Sequence, residues 1–203
     1  MAKEFIYLAS ASPRRSELLD QIGVRYRTRP ADLAETRLAG ELPADYVQRL
    51  AAAKADEIWR RIRTASEPAP VLAADTTVVV DDDVLGKPAD EAEALAMLAR
   101  LSGRSHRVMT AIAVRDEAAR EVSVVISEVR FRATTATERL QYCRSGEPYD
   151  KAGGYAIQGL GAVFIDRLEG SYSAVMGLPL YETATMLRRF GLPAWLEAPA
   201  AVT

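Results

Sequence analysis

The stretch VLAADTTVVV, residues 71 to 80, is the most buried-looking segment of this 203-residue chain. It is short, rich in Val and Thr, and bounded by the breaker SEPAP (66–70) and a run of three aspartates (81–83). Such a segment reads as a core strand. Asp75 interrupts it. A carboxylate flanked by Val, Leu and Ala is costly unless it is paired or metal-bound. Alternation places Asp75 and Thr77 on one face and Thr76 on the other, unless the strand is bulged there. One reading makes Asp75 a buried acid that caps a loop or bonds an arginine. The other makes it a metal ligand or general base, and an anion site nearby favours that second reading.

Upstream, FIYLASASPRRSELLDQIG (5–23) supplies a candidate anion site. Phe5 to Ala9 reads as a buried strand. Ser12 suits an N-cap and Pro13 the first helical position, where a missing N–H costs nothing. Leu18, Leu19 and Ile22 recur at helical spacing, and Gly23 ends the helix. Arg14 and Arg15 therefore fall in the first turn, where the helix dipole disfavours cations by about 0.3–1 kcal/mol each. Free backbone N–H groups and two guanidinium forks together suit a phosphate or carboxylate. A solvated arginine pair remains an equal reading of these residues alone. Lys3, Arg14, Arg15, Arg25, Arg27 and Arg29 against Glu4, Glu17 and Asp20 leave a local excess of three positive charges, against a net charge of −2 for the chain. That distribution fits a small anion better than a nucleic-acid track.

Working outward, strand and helix patterns alternate. Val24 to Arg29 reads as a half-exposed strand, and Asp45 to Arg63 as a long helix with Tyr46, Leu50 and Ile58 on one face. Asp90 to Leu101 reads as a helix striped by Ala94, Leu95 and Leu98. His106 to Val114 and Val122 to Phe131 read as a hairpin, and Thr137 to Arg144 and Leu180 to Phe190 as helices. Alternation with some adjacent strands predicts an α/β fold: a mixed sheet with flanking helices. The length suits a single domain over 1–203, of one or two lobes, with 198–203 a loose tail.

Downstream of the strand, Asp81 to Asp83 tempt a metal reading, but a hairpin needs polar residues there and a solvated turn is preferred. In Leu85-Gly86-Lys87-Pro88 the proline restricts the lysine backbone, which suits a fixed phosphate contact as well as a plain loop. The Gly and Ser/Thr of a P-loop are missing around Lys87. GEPYDKAGGYAIQGLG (146–161) holds five of the twelve glycines. It can bring backbone close to a ligand, with Lys151 and Gln158 as polar contacts. Tyr155 and Ile157 alternate there as in an ordered strand, and the third glycine of a dinucleotide fingerprint is lacking.

The single histidine, His106, reads as structural, and the single cysteine, Cys143, as packing. This inventory argues against a Ser-His-Asp triad, a Cys-His pair and a thiolate zinc site. Arginines, lysines and acids around a glycine-rich loop suit phosphoryl chemistry assisted by Mg²⁺ or Mn²⁺. An unpaired cysteine, the lack of a charged-then-apolar leader and the lack of a membrane-length apolar run lead to a cytoplasmic expectation, with no nucleic-acid or membrane partner.

Four segments in order, SASPRRSELL, AADTTVVVDDDVLGKP, LSGRSHRVMTAIAV and GEPYDKAGGYAIQGLGAVFIDRLEGSYSAVMGLPL, closely resemble the Maf family of nucleoside triphosphate pyrophosphatases, from Leu8 to about Leu187. The resemblance implies an elongated two-lobed fold with a central cleft, related to inosine triphosphate pyrophosphatases. It makes Asp75 the proton acceptor and gives Arg14, Thr76 and Gln158 to substrate selection. It places Arg15, Glu35, Lys54 and Lys87 where members have functional polar residues. The mechanism so implied has Glu35 and Asp75 position a divalent metal and a water that attacks the α-phosphorus. Arg14, Arg15, Lys54 and Lys87 neutralise phosphate charge. Members with Gln at position 158 resemble the group acting on dTTP and UTP, those with Glu the group acting on 7-methyl-GTP; modified pyrimidine nucleotides are further candidates. Members are often homodimers. The family's association with inhibition of septum formation makes a regulatory interaction role the alternative.

Overall fold

A computed structural model describes residues 4–65 and 67–192; the expected tail at 198–203 lies outside them. The elements are β1 (Ile6–Leu8), α1 (Pro13–Gln21), β2 (Tyr26–Thr28), α2 (Pro43–Ile62), β3 (Val71–Val80), β4 (Asp83–Leu85), α3 (Glu91–Leu101), β5 (Ser105–Arg115), β6 (Arg120–Phe131), α4 (Ala136–Arg144), β7 (Ile165–Glu169), α5 (Tyr172–Met176) and α6 (Leu180–Arg189). Short 3₁₀ turns fill 147–150, 152–154 and 160–164.

The sheet has seven strands in the order β2-β1-β3-β5-β6-β7, with β4 paired to β3 off that path. β1 runs parallel to β2 and β3, whereas β3–β4 and β6–β7 are antiparallel. The sheet is therefore mixed, as the alternation predicted. β3 takes a long central place because nine of its ten residues are buried, as a mostly apolar run covered on both faces requires. Asp81 and Asp82 make the two-residue turn to β4 at φ 51° and 64°. That left-handed pair matches the twist of the flanking strands. Two of the three aspartates make the turn and Asp83 opens β4, and each pairs with an arginine: Asp81 with Arg104, Asp82 with Arg107 and Asp83 with Arg100.

The chain divides into two compact units. The first comprises Met1–Asp75, Ala111–Val124 and Gly177–Thr203. Its core holds Ile6, Leu8, Leu19, Leu50, Ile58, Leu72 and Ile112, all essentially inaccessible. The second comprises Thr76–Thr110 and Val125–Met176. Its core gathers Leu98, Leu101, Val108, Phe131, Tyr142, Tyr155 and Phe164, with Cys143 packed among them. Here His106 is structural: its Nε2 lies 2.7 Å from the Tyr155 hydroxyl, edge-on to Phe131.

Two expectations need correction. The run from Tyr155 to Ile157 is not a strand. Gly153 and Gly154 take positive φ and a turn follows at 157–158, so the chain cannot stay extended long enough to pair. Ser12 does occupy the N-cap of α1, but its side chain makes no capping bond; its N–H instead donates to Ser10 Oγ at 3.1 Å. Among the described residues no helix is long and apolar enough to cross a membrane.

Candidate active site

Asp75 is the last residue of the first unit, where β3 passes from one unit to the other. It is only 6% exposed. Its Oδ1 accepts a hydrogen bond from Lys54 Nζ at 2.7 Å. Lys54 arrives from α2, one turn beyond Leu50 and one before Ile58. Residues 46, 50, 54 and 58 recur every four positions, so one helix face points all of them the same way. Lys54 Nζ also lies 2.5 Å from Glu35 Oε1. Glu35 belongs to the loop between β2 and α2, and its carbonyl accepts from the Tyr46 hydroxyl at 2.9 Å. One buried ammonium thus joins two carboxylates.

Arg15 completes the group from the first turn of α1. Its Nε donates to Gly177 O at 2.9 Å and its Nη1 to the buried Ser10 Oγ at 3.0 Å. Burial pulls its guanidinium below its usual pKa, the Asp75 carboxylate opposes that, and neighbouring Arg14 adds to it. Asp75 shows the opposite pattern. Burial pushes its carboxyl above the ordinary aspartate value, Lys54 and Arg15 pull it back, and Glu35 pushes it further up. The net shift is upward. A carboxylate of raised basicity, held by a lysine beside an arginine, has the chemistry of a general base next to an anion.

The first unit therefore brings Arg15, Glu35, Lys54 and Asp75 together, with Arg14 adjacent. Two members of this neighbourhood were missed. Ser10 anchors Arg15, and the only signal for it was its place in SASPRR. Tyr46 stands where both Asp75 and Glu35, after burial itself, raise its phenol pKa. Its signal was the four-residue stripe it shares with Lys54.

Thr76, Lys87 and Gln158 belong to the second unit. Thr76 Oγ1 lies 2.9 Å from Thr110 Oγ1, whose one proton goes to Ala174 O at 2.7 Å. Thr76 therefore donates to Thr110. Lys87 is exposed in a loop tied down where Gly153 N–H donates to Gly86 O at 2.9 Å. Gln158 is exposed at the 157–158 turn.

Among the described residues no three His, Cys, Asp or Glu side chains gather as a metal cage. The pair Glu35 and Asp75 still fits a hard cation of the Mg²⁺ type. Such ions are commonly held by one or two carboxylates, with substrate phosphates completing the shell, and here Lys54 keeps the two carboxylates close together.

Fold and site define an α/β protein with a buried acid set among cations, a class suited to handling an anionic substrate. Residues 5–190 match the family described as Maf-like protein, and the chain belongs to that family. A protein of Saccharophagus degradans named dTTP/UTP pyrophosphatase is 52% identical over 190 residues, covering 94% of this chain and 90% of the relative. One of Bordetella avium with the same name is 53% identical over 194 residues, covering 92% and 96%.

Proposed function

We propose that the chain hydrolyses dTTP and UTP to the nucleoside monophosphate and pyrophosphate. The observation that carries this reading is Asp75, a buried carboxylate of raised basicity bonded to Lys54 and beside Arg15. Relatives half identical to the chain carry that activity in their names.

In this reading Asp75 accepts a proton from water as the water oxygen bonds to the α-phosphorus. The bond from that phosphorus to the bridging oxygen breaks, and pyrophosphate leaves with its electron pair. Arg14, Arg15, Lys54 and Lys87 take the phosphate oxygens, where preorganised cations act most strongly as charge moves to the leaving group. Glu35 and Asp75 would hold a divalent cation, Mg²⁺ or Mn²⁺, which when bound supplies charge neutralisation on the phosphates. Gln158 and Thr76 select the base. A primary amide offers a donor and an acceptor, which can meet a carbonyl and the N3–H of thymine or uracil. A buried, unpaired Cys143 supports a reducing, cytoplasmic setting.

The test is product analysis with dTTP, UTP, GTP and 7-methyl-GTP. Pyrophosphate released in equal amount to monophosphate, fastest from the two pyrimidines, is the expected result. Orthophosphate as the first product, or preference for a purine, overturns the reading.

A further inference from the structure

The Gln158 turn is pinned from both ends by a pair of side chains outside the proposed chemistry. Downstream of Gln158, the half-buried Glu147 accepts from Leu160 N–H at 2.9 Å through Oε2 and from Gly161 N–H at 3.0 Å through Oε1. Oε1 also accepts from the Tyr142 hydroxyl at 2.7 Å. Upstream of Gln158, that same hydroxyl accepts from Ala156 N–H at 3.2 Å. The chain of contacts Ala156–Tyr142–Glu147–Gly161 thus spans the turn.

The two glycines just downstream of Gln158 admit it. A Cβ on Gly159 would collide with Glu147 Oε2, and one on Gly161 would meet Ala156 O at 2.8 Å and the Tyr142 hydroxyl at 2.9 Å. At Gly161 the clash is with backbone, and at Gly159 the carboxylate itself would have to move, so the backbone closes around Glu147 as it does because both positions lack a side chain. Glu147 itself is fixed through its main chain: its N–H donates to Ser145 Oγ at 3.2 Å and its carbonyl accepts from Lys151 Nζ at 2.9 Å. Tyr142 is anchored in α4, whose N-terminus carries a full capping box from Thr135 and Glu138. Burial alone would raise the Glu147 carboxyl, but the Gly161 amide, the Tyr142 hydroxyl and the Leu160 amide outweigh it and hold the group below its ordinary value. It accepts these bonds as an anion, and charge-assisted bonds of this kind are the stronger ones.

We infer that Glu147, with Tyr142, is the positioning residue for Gln158: its carboxylate sets the 156–161 backbone and so fixes the amide that reads the base. The inference rests on the reading of Gln158 as the base-selecting residue. Displacing a recognition group by about 1 Å costs up to 10²-fold in rate, and the loss falls on base selection because Glu147 contacts backbone and a phenol rather than the acid–cation group of the first unit.

Full-length Glu147→Ala, Tyr142→Phe and Gln158→Ala are compared with the unaltered protein, using dTTP and GTP as probes. Glu147→Ala is expected to lower the ratio of kcat/KM for dTTP over GTP by roughly 10-fold or more. The fall comes through KM for dTTP with kcat little changed, and the Leu160 and Gly161 amides exchange hydrogen faster. Tyr142→Phe keeps two of the three donors and gives a smaller change in the same direction, which covers the case of a Glu147→Ala protein that fails to fold. A merely structural Glu147 lowers thermal stability and the active fraction but leaves the ratio unmoved, and that result overturns the inference if Gln158→Ala abolishes selection. If Gln158→Ala itself leaves selection intact, the base-reading assignment falls and takes the inference with it.

Discussion

In the first unit one ammonium, Lys54 Nζ, stands 2.7 Å from Asp75 and 2.5 Å from Glu35, with Arg15 beside them. In the second unit one carboxylate, Glu147, collects a phenol and two backbone amides at 2.7–3.0 Å. The first is buried and the second half-buried, and they answer different demands. Full charges in low dielectric set basicity and attract an anion, at a desolvation cost visible in the raised Asp75 carboxyl. Neutral donors around a single anion set backbone position and leave that anion ionised. On the proposed reading, chemistry and selection fall to centres that can be broken one at a time.

The largest effect is expected from breaking the charged centre. Asp75→Asn keeps the shape but cannot take a proton, and loss of a general base costs about 10²–10⁴-fold. Pyrophosphate release should fall by that factor while circular dichroism and nucleotide binding persist; near-normal turnover removes Asp75 from the mechanism. The same centre predicts the acid limb of the pH–rate profile. The Asp75 carboxyl lies above its ordinary value, so activity should be lost, as pH falls, at a pH above the usual aspartate range. A limb at the ordinary aspartate value argues against Asp75 as base.

A second break lies in the core of the other unit. Burial holds the His106 imidazole down at about 4 from 6.5, and its Nδ1 has no partner among the described residues. The unfolded chain therefore takes up a proton between about pH 6.5 and 4 that the folded chain refuses. The sign follows directly: stability contributed by a neutral His106 is full above pH 6.5 and declines as pH falls, by about 3 kcal/mol near pH 4. His106→Gln keeps a partner for Tyr155 and removes the titration. Urea midpoints at pH 7 and pH 4.5 should converge in that variant relative to the unaltered protein, and equal pH dependence in both overturns the assignment.

What was legible in the sequence divides along the same line. β3, α1 and α2 were readable because apolar spacing is local: a Val- and Ala-rich run broken only at 75–77, or residues 46, 50 and 58 on one helical face. Asp75 stood out because it violates that spacing. Its union with Lys54 and Glu35 was not readable from spacing, since residues 40 and 21 positions away meet it only after the sheet forms; the family resemblance alone pointed to them. β7 was missed because its residues are mostly exposed and do not alternate cleanly, and α5 because five residues are too few to show a period. The glycine-rich segment misled, as glycine conceals which φ it takes. Glu147 carries no signal in sequence: its role is made by amides, which every residue has.

A smaller effect tests whether selection depends on hydrogen-bond polarity. Gln158→Glu places an acceptor-only group where a pyrimidine carbonyl is expected, and an unpaired acceptor costs on the order of 1–3 kcal/mol. That corresponds to about 5–150-fold in kcat/KM for dTTP and UTP, with turnover of 7-methyl-GTP gaining in relative terms. An unchanged substrate profile shows that Gln158 does not read the base.

The smallest effect concerns the two arginines, which differ although adjacent. Arg15 is tied to Ser10 and Gly177, so Arg15→Ala strips buried acceptors of their donor and should destabilise the fold. Arg14 shares the first turn of α1, which carries no acidic residue to offset the helix dipole. Replacing Arg14 by alanine relieves a misplaced cation there, worth about 0.3–1 kcal/mol, so the variant should unfold at equal or slightly higher urea concentration. Its KM for dTTP should nevertheless rise, because the removed guanidinium takes phosphate on the proposed reading. A stability gain with a binding loss is the signature of a residue kept for its ligand. A stability loss with unchanged KM would make Arg14 a structural residue, and the proposed phosphate contacts at the first turn of α1 would then fall to Arg15 alone.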